Sequence, residues 1–357
     1  MHIRKITLKD FRNYENQEII FDEKQNIIYG NNAQGKTNIL EAIFLCAMGK
    51  SFRAKKDKDL ISFGKNQAKV EIEFQKVDRE GKITAIIDDK KTFFVNGVKQ
   101  NKISDIIGKI NVVIFTPDDI DIIKEGPDVR RRFLDMMISS LKPNYLHILN
   151  NYNKTIEQRN SYLRQIKTEN KSKAMLEIWD NQLAELGEKV YNYRQTYVNK
   201  LSDRIKDIHK LITKSGKLEE EISIKYISNC KDKEKFLDNL NKVQALDIAR
   251  GYTSLGVHRD DIIFYINGKP VKVYGSQGQQ RTTVLSLKLT ELNIVKEEIG
   301  ESPILLLDDF MSELDSNRRE SFLRKIEGNQ VIITCTDFIE NTNTYFVENG
   351  VCTGDKK

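Results

Sequence analysis

The 357-residue sequence is poor in cysteine and has no long apolar run. The cysteines, Cys46, Cys230, Cys335 and Cys352, lie far apart and form no Cys-x-x-Cys pair, which argues against a disulfide framework and favours a reduced protein. No apolar run approaches the ~18 residues that a membrane span needs. Residues 1–6 also lack the long apolar block of a secretion signal. We therefore expect a soluble, cytoplasmic protein.

What the sequence does contain is enough apolar material for a large core. Hydrophobic residues make up 39% of the chain, and the length exceeds that of one average domain. The 58 basic and 52 acidic residues give a net charge of +6. This balance leans mildly towards polyanionic partners but does not identify one.

Residues 29–38, YGNNAQGKTN, place a Lys-Thr pair after two glycines. The apolar residues 26–29 before them predict a short buried strand. After them, apolar residues recur at helical spacing until Gly49. Strand, glycine loop and helix in this order are typical of a phosphate-binding loop (P-loop), although a simple polar turn is the alternative.

The chemistry of such a loop explains these residue types. Backbone N–H groups at the start of a helix converge on an anion, and glycines allow the close approach. Lys36 would bridge the terminal phosphates, and the Thr37 hydroxyl would hold Mg²⁺. The predicted nucleotide contacts are Gly30, Asn31, Asn32, Ala33, Gln34, Gly35, Lys36, Thr37 and Asn38.

An acidic pair far downstream suits the metal. Residues 304–307, ILLL, predict a central parallel strand that ends in Asp308 and Asp309. Asp308 would hold the magnesium shell, and Asp309 would face the attacking water as general base. The alternative is an acidic strand end that only precedes a turn.

A second glycine-bearing loop, residues 275–280, GSQGQQ, leads into another predicted helix. Its exposed N–H groups would form a second anion site. Because one chain binds one nucleotide at its P-loop, this loop is predicted to serve the nucleotide of a partner copy.

With these motifs in place, the sequence resembles the ABC-type ATPase heads of the chromosome-maintenance (SMC) class and, within it, the RecF family. The matching segments are LKDFRNY (8–14), the P-loop, GKSFR (49–53), GPDVRRRFLD (126–135), RGYT (250–253), GVHRDD (256–261), SQGQQ (276–280) and DDFMSELD (308–315).

The resemblance implies that ATP joins two heads. Ser276, Gln277, Gly278 and Gln279 would form a signature loop that touches the γ-phosphate held by the other copy, and residues 312–315 would cross the dimer. It further implies weak DNA-dependent ATP hydrolysis, a role in gapped-DNA repair, and the partners RecO and RecR in loading RecA.

Three departures from the general ABC pattern indicate a slow switch rather than a motor. Asp309 stands where most heads carry the longer glutamate. No glutamine follows the predicted strand 112–115, and Thr334 or Thr336 occupies the position where many heads have a histidine.

The segment between the two ATPase halves is predicted to be a basic helical arm. Residues 130–250 contain 24 Lys and Arg against 16 Asp and Glu. Apolar residues from Leu176 to Ile212 recur every three or four positions, as on one face of a helix about 55 Å long. We therefore expect an ATPase half at 1–129, the arm at 130–250, and a second half at 251–357.

Two basic clusters are candidates for DNA contact: Arg130, Arg131 and Arg132, and Lys50, Arg53, Lys55 and Lys56. Aromatic residues do not interleave them, which favours contact with the phosphate backbone over base reading. Solvated charge or local pairing is the alternative.

Asn-Gly pairs at 96–97 and 267–268 predict tight hairpins, and hence an antiparallel β layer beside the parallel core. The predicted fold is an α/β ABC-type head with a mixed sheet, this flanking layer and the helical arm. The predicted function is an ATP-dependent DNA-binding switch that dimerises with Mg-ATP on double-stranded or gapped DNA. A P-loop small-molecule kinase and a non-hydrolysing, ATP-gated scaffold remain alternatives.

Overall fold

A computed structural model describes residues 1–213, 220–310, 322, 326–336 and 343–354. The strands are β1 (His2–Phe11), β2 (Tyr14–Ile20), β3 (Gln25–Tyr29), β4 (Ala68–Gln75), β5 (Glu80–Ile87), β6 (Lys91–Val95), β7 (Val98–Gln100), β8 (Val112–Phe115), β9 (Ile222–Ile227), β10 (Asp261–Ile266), β11 (Lys269–Pro270), β12 (Ile304–Asp308), β13 (Val331–Cys335), β14 (Asn343–Glu348) and β15 (Val351–Gly354). The helices are α1 (Lys36–Met48), α2 (Asp121–Lys124), α3 (Pro127–Leu141), α4 (Pro143–Glu169), α5 (Leu176–Thr213), α6 (Lys233–Arg250), α7 (Val271–Tyr274) and α8 (Gln277–Ile299). Within the described ranges, no helix is both long and apolar enough to cross a membrane.

The chain divides into two compact units, 1–119 with 288–357 and 120–287. The second unit extends beyond the predicted arm, 130–250, on both sides. It also contains α2, β10, β11 and α7, because β10 pairs with β9 and packs against α3. The assignment of separate roles to the three predicted segments stays a prediction.

The first unit contains two six-stranded sheets with α1 packed against both. One has the order β15-β14-β3-β13-β12-β8 and is parallel except for β15. The other, β2-β1-β4-β5-β6-β7, is antiparallel throughout. Because α1 meets a sheet on both sides, all its residues from Ile39 onward are buried. The helix ends at Gly49, as the sequence predicted, and Gly49 has the left-handed conformation.

Both predicted Asn-Gly hairpins are present. Asn96 and Gly97 have φ of 50° and 79°, and Asn267 and Gly268 have 49° and 74°, the left-handed values that a two-residue turn of this kind requires. The first hairpin joins β6 to β7 in the layer beside the parallel sheet. The second was wrongly expected there: it joins β10 to β11 in a separate sheet, β11-β10-β9, of the second unit.

The second unit is built around the predicted long helix, α5, which spans 38 residues. It packs along α4 and also contacts α3, α6 and β9. Its Arg194 is 2% exposed and donates to both carboxylate oxygens of Asp135 at 3.0 Å, to the carbonyl of Val257 at 2.6 Å and to Asp260 at 3.2 Å. Residues from two other segments are thus tied to one guanidinium, and its removal would leave the buried carboxylate of Asp260 without this cation.

A half-buried histidine, His258, also joins segments of this unit. His258 Nε2 lies 3.2 Å from the carbonyl of Thr253, which can only accept, so Nε2 carries the hydrogen and Nδ1 accepts from Tyr152 at 2.9 Å. Burial lowers the pKa of His258 to about 4, and nearby arginine charges add to the decrease. Both nitrogens of the neutral ring therefore take part in hydrogen bonds within the unit.

The pKa of His258 predicts how stability depends on pH. Between pH 6.5 and 4 the unfolded chain binds the proton and the folded chain does not, so this residue lowers stability as pH falls through that window. Relative to His258→Gln, the native chain should lose about 2 kcal/mol more unfolding free energy between pH 7 and pH 5. Urea titrations at the two pH values measure this. The control His147→Gln removes an exposed histidine and should keep the native difference.

Candidate functional site

The P-loop backbone follows β3 directly and feeds α1. Gly30 and Gly35 have φ of 145° and 116°, and Ala33 has 65°. A Cβ at Gly30 would lie 2.3 Å from the carbonyl oxygen of Val347, so that position requires glycine for its conformation and for its space. Among the described residues, no side chain caps α1 and its first turn has no acid, which leaves its N-terminus suited to an anion.

Lys36 lies at the first position of α1 and is 4% exposed. Its ammonium donates to the carbonyl oxygens of Gly30 at 2.6 Å and Asn31 at 2.9 Å. The cation is therefore held inside the curve of the loop, as expected for a lysine that contacts phosphates there.

Thr37 and Asp308 meet at the carboxyl edge of the parallel sheet. The Thr37 hydroxyl donates to Asp308 Oδ1 at 2.7 Å, and the Thr334 hydroxyl donates to the same oxygen at 2.8 Å. Burial raises the pKa of Asp308, and the two hydroxyl bonds work against that increase. A hydroxyl and a carboxylate oxygen at this separation are hard ligands of the kind Mg²⁺ takes, so the pair fits the predicted metal role.

Asp309 follows in the left-handed region, with φ of 45°, and its N–H donates to Thr334 Oγ1 at 3.0 Å. Of the two threonines left open by the sequence, Thr334 contacts both members of the acidic pair. The predicted dimer-crossing loop, residues 312–315, lies outside the described residues.

The β1–β2 turn supports the P-loop from outside, which the motif alone did not reveal. Asn13 Nδ2 donates to the carbonyl of Gln34 at 2.7 Å, and Tyr14 donates to that of Gly35 at 3.1 Å. The Asn38 side chain donates to Asn13 Oδ1 at 2.8 Å. Asn13 and Tyr14 lie in the segment LKDFRNY, so the family resemblance was the one signal that could have found them.

A buried ion cluster on α1 was also missed. Glu41 is fully buried and accepts from Arg12 at 2.8 and 2.7 Å, from Ser51 at 2.5 Å and from Arg53 at 3.2 Å. Burial alone would raise the pKa of Glu41, but the bonds from Arg12 and Ser51 and the two guanidinium charges hold it below its usual value. The cluster fixes segments 8–14 and 49–53 against the P-loop helix.

The signature loop belongs to the second unit and forms the N-terminus of α8. Ser276 Oγ accepts from the N–H of Gln279 at 3.2 Å, and Gln279 Oε1 accepts from the N–H of Ser276 at 2.9 Å. This reciprocal pair is a capping box. Ser276, Gln277 and Gly278 are exposed, so the loop presents a helix N-terminus to its surroundings.

The basic clusters do not all remain candidates for DNA contact. Arg130 is 5% exposed and donates to both oxygens of Asp261 and to the carbonyls of Ile122 and Glu125, so it was wrongly included. Arg131 is half-buried, with a bond to the Asp260 carbonyl at 2.7 Å.

In the other cluster, Arg53 is engaged with Asn38 at 2.5 Å as well as with Glu41. Arg53 is exposed despite these bonds, and Arg132, Lys50, Lys55 and Lys56 are exposed as well.

Comparison with known proteins identifies close relatives. The family model described as RecF/RecN/SMC N terminal domain matches residues 2–346. The DNA replication and repair protein RecF of Clostridium perfringens (strain SM101 / Type A) is 44% identical over 355 residues, covering 98% of this chain and 96% of the relative. That of Clostridium acetobutylicum is 43% identical and covers 98% and 99% of the two chains.

Solved structures support the same family and fold. One described as the recombination mediator protein RecF-ATP in the RecFOR pathway has a TM-score of 0.94 at 40% identity, over 99% of this chain and 98% of the other. The Smc head domain of Pyrococcus furiosus has a TM-score of 0.57 at 18% identity, over 99% and 96%, which supports the fold alone. The predicted ABC-type ATPase head of the SMC class is thereby confirmed.

The close approach at Gly30 gives a test of the P-loop geometry. Gly30→Ala should destabilise the chain by more than ~3 kcal/mol and abolish triphosphate binding, because both the φ of 145° and the Val347 carbonyl oppose a Cβ. Gly64→Ala is the matched control: its φ is 77° but open space surrounds it, so it should cost only ~1 kcal/mol. Urea unfolding and triphosphate titration measure both. Equal effects of the two variants would contradict the geometry.

Proposed function

Because this chain belongs to the RecF family within the RecF/RecN/SMC group, we propose that it is an ATP-dependent DNA-binding switch of replication and recombinational repair. The observation that carries the proposal is the convergence of Lys36, Thr37 and Asp308 at one sheet edge. A relative with 40% identity and a TM-score of 0.94 is described in complex with ATP.

Nucleotide binding would be an exchange of partners at the P-loop. The Lys36 ammonium would leave the carbonyls of Gly30 and Asn31 for the terminal phosphates, and the N–H groups at the start of α1 would receive the anion. Thr37 and Asp308 would hold Mg²⁺, which would neutralise negative charge on the triphosphate. The hydroxyl of Thr334 keeps Asp308 oriented.

Dimerisation would follow from the signature loop. The capped N-terminus of α8, with Ser276 exposed, offers donors and partial positive charge to a γ-phosphate held by a second copy. In a two-fold dimer each copy would supply both a P-loop and a signature loop, so two nucleotides would be shared. ATP then acts as the link between heads.

Turnover would be slow. Asp309 is one methylene shorter than glutamate, and its backbone is fixed in the left-handed conformation by the bond to Thr334. A carboxylate so placed has little freedom to approach the attacking water. We infer weak, DNA-dependent hydrolysis that resets the switch.

DNA recognition would depend on phosphate contacts. The positive excess lies within residues 130–250, and Arg132, Lys50, Lys55 and Lys56 are exposed. Binding is then independent of sequence, on double-stranded or gapped DNA. The RecFOR pathway in which the solved relative is described supports RecO and RecR as partners and RecA loading as the setting.

The two alternatives differ in what they require. A small-molecule kinase would not need a signature loop, and the family match over residues 2–346 argues against it. A non-hydrolysing scaffold would bind ATP and dimerise as the switch does. It would differ only in releasing no phosphate from ATP, whether DNA is present or absent.

The dimer has a two-variant test. Lys36→Ala should lower ATP affinity more than tenfold, because the loop loses its cation, and should abolish ATP-dependent dimers in sedimentation. Ser276→Arg should leave ATP bound to the monomer but block dimerisation by filling the loop. Loss of ATP binding in Ser276→Arg would show instead that the loop acts within its own chain.

DNA binding has a test in its salt dependence. The logarithm of the affinity for duplex DNA should fall linearly with the logarithm of salt concentration, because binding releases counterions. The double variant Lys55→Ala/Lys56→Ala should reduce the slope by about 2 if both residues contact phosphates. Fluorescence anisotropy at several salt concentrations measures it, and affinity independent of salt would refute backbone recognition.

A further inference from the structure

The side chain of Gln279, in the signature loop, is fixed at both ends of its amide. Its Oε1 accepts from the N–H of Ser276 at 2.9 Å, which closes the capping box. Its Nε2 donates to Oε1 of Glu220 at 2.9 Å. Glu220 lies 59 positions earlier in the chain, just before β9, and belongs to the same unit.

Glu220 determines which way the amide points. The two ends of a glutamine amide have nearly the same shape, but only the oxygen can accept from the Ser276 N–H. A flipped amide would set its NH₂ group against that N–H and open the capping box. Because an ionised carboxylate only accepts, Glu220 requires the NH₂ group on its own side and so selects the orientation that keeps the box closed.

Glu220 is itself held from two directions. Its Oε2 lies 3.2 Å from Nε2 of His209, a fully buried residue near the end of α5. His209 Nδ1 lies 2.9 Å from the hydroxyl of Ser286 on α8. The next residue, Glu221, is bonded through its backbone to the β10–β11 turn: its N–H donates to Asn267 Oδ1 at 2.8 Å, and its carbonyl accepts from the Asn267 N–H at 2.9 Å.

These contacts form one continuous chain of hydrogen bonds from the arm helix α5 to the signature loop. We propose that Glu220, supported by His209, is a positioning residue: it fixes the Gln279 amide so that Ser276 and the first N–H groups of α8 are preorganised for the triphosphate of a partner copy. The functional consequence rests on the ATP-linked dimer proposed above, whereas the positioning itself can be tested in the monomer.

Amide hydrogen exchange in the nucleotide-free monomer tests the positioning directly. Glu220→Ala should raise the exchange rate of the Ser276 and Gln279 N–H groups about tenfold, because these two N–H groups lose protection when the capping box opens. Glu220→Gln should restore slow exchange, since its side-chain oxygen can still accept from Gln279 while its NH₂ group donates to a neutral His209. Glu221→Ala is the matched control, an exposed neighbour whose side chain is outside the network.

The dimer gives the second readout. A signature loop weakened about tenfold should raise the dissociation constant of a two-fold dimer about a hundredfold, because both loops are affected. The affinity of the Glu220→Ala monomer for ATP should equal that of the native chain. General damage to the fold would lower this affinity, so the measurement distinguishes the two causes. In a Gln279→Ala background, Glu220→Ala should change dimerisation less than about twofold, because its effect passes through Gln279.

The outcomes separate the two proposals. If the native chain forms no ATP-dependent dimer, the proposed function fails, and the exchange rates still decide the role of Glu220. If Glu220→Ala exchanges like Glu221→Ala, the positioning role is wrong. Fully additive effects of Glu220→Ala and Gln279→Ala on dimerisation would also overturn it, because they would show that Glu220 acts independently of the amide.

Discussion

The carboxylate of Asp308 joins the two halves of the proposed nucleotide site. One of its oxygens accepts from Thr37, 271 positions earlier, and from Thr334, 26 positions later. This requires β3, β13 and β12 to be neighbours in one parallel sheet, so that their carboxyl ends share an edge. Much of the chain between β8 and β12, residues 120–287, belongs to the second unit.

In both units, the polar groups proposed for function already have hydrogen-bond partners within the chain. The polar groups that would meet a triphosphate, Lys36, Thr37 and Ser276, all have partners within the chain. Binding ATP would therefore replace hydrogen bonds rather than add them, and each exchange yields little net free energy. Tight association then depends on many contacts made together, which is the role that a second copy with its signature loop would fill.

Local patterns in the sequence were sufficient for the P-loop, β12, α5 and both Asn-Gly turns, because each depends on residues close together in the chain. They were insufficient where the partner is remote. In the sequence, nothing distinguishes Arg130 from Arg132. In the structure, Arg130 is buried and bonded to Asp261, which lies 131 positions away. The same holds for the cluster of Arg12 and Glu41 and for the sheet that contains the second hairpin. Both depend on pairing between remote segments, which local sequence periodicity does not predict.

The backbone hydrogen bond of Asp309 gives a reason why such a site would bind ATP tightly but hydrolyse it slowly. Thr334 donates to Asp308 and accepts from the Asp309 backbone, so one hydroxyl orients the acid proposed to bind the metal and fixes the backbone of the proposed base. An arrangement that holds the acid firmly thereby restricts the base, whose side chain is already short. Rigidity that favours binding works against the approach to water, and a slow switch is the expected result.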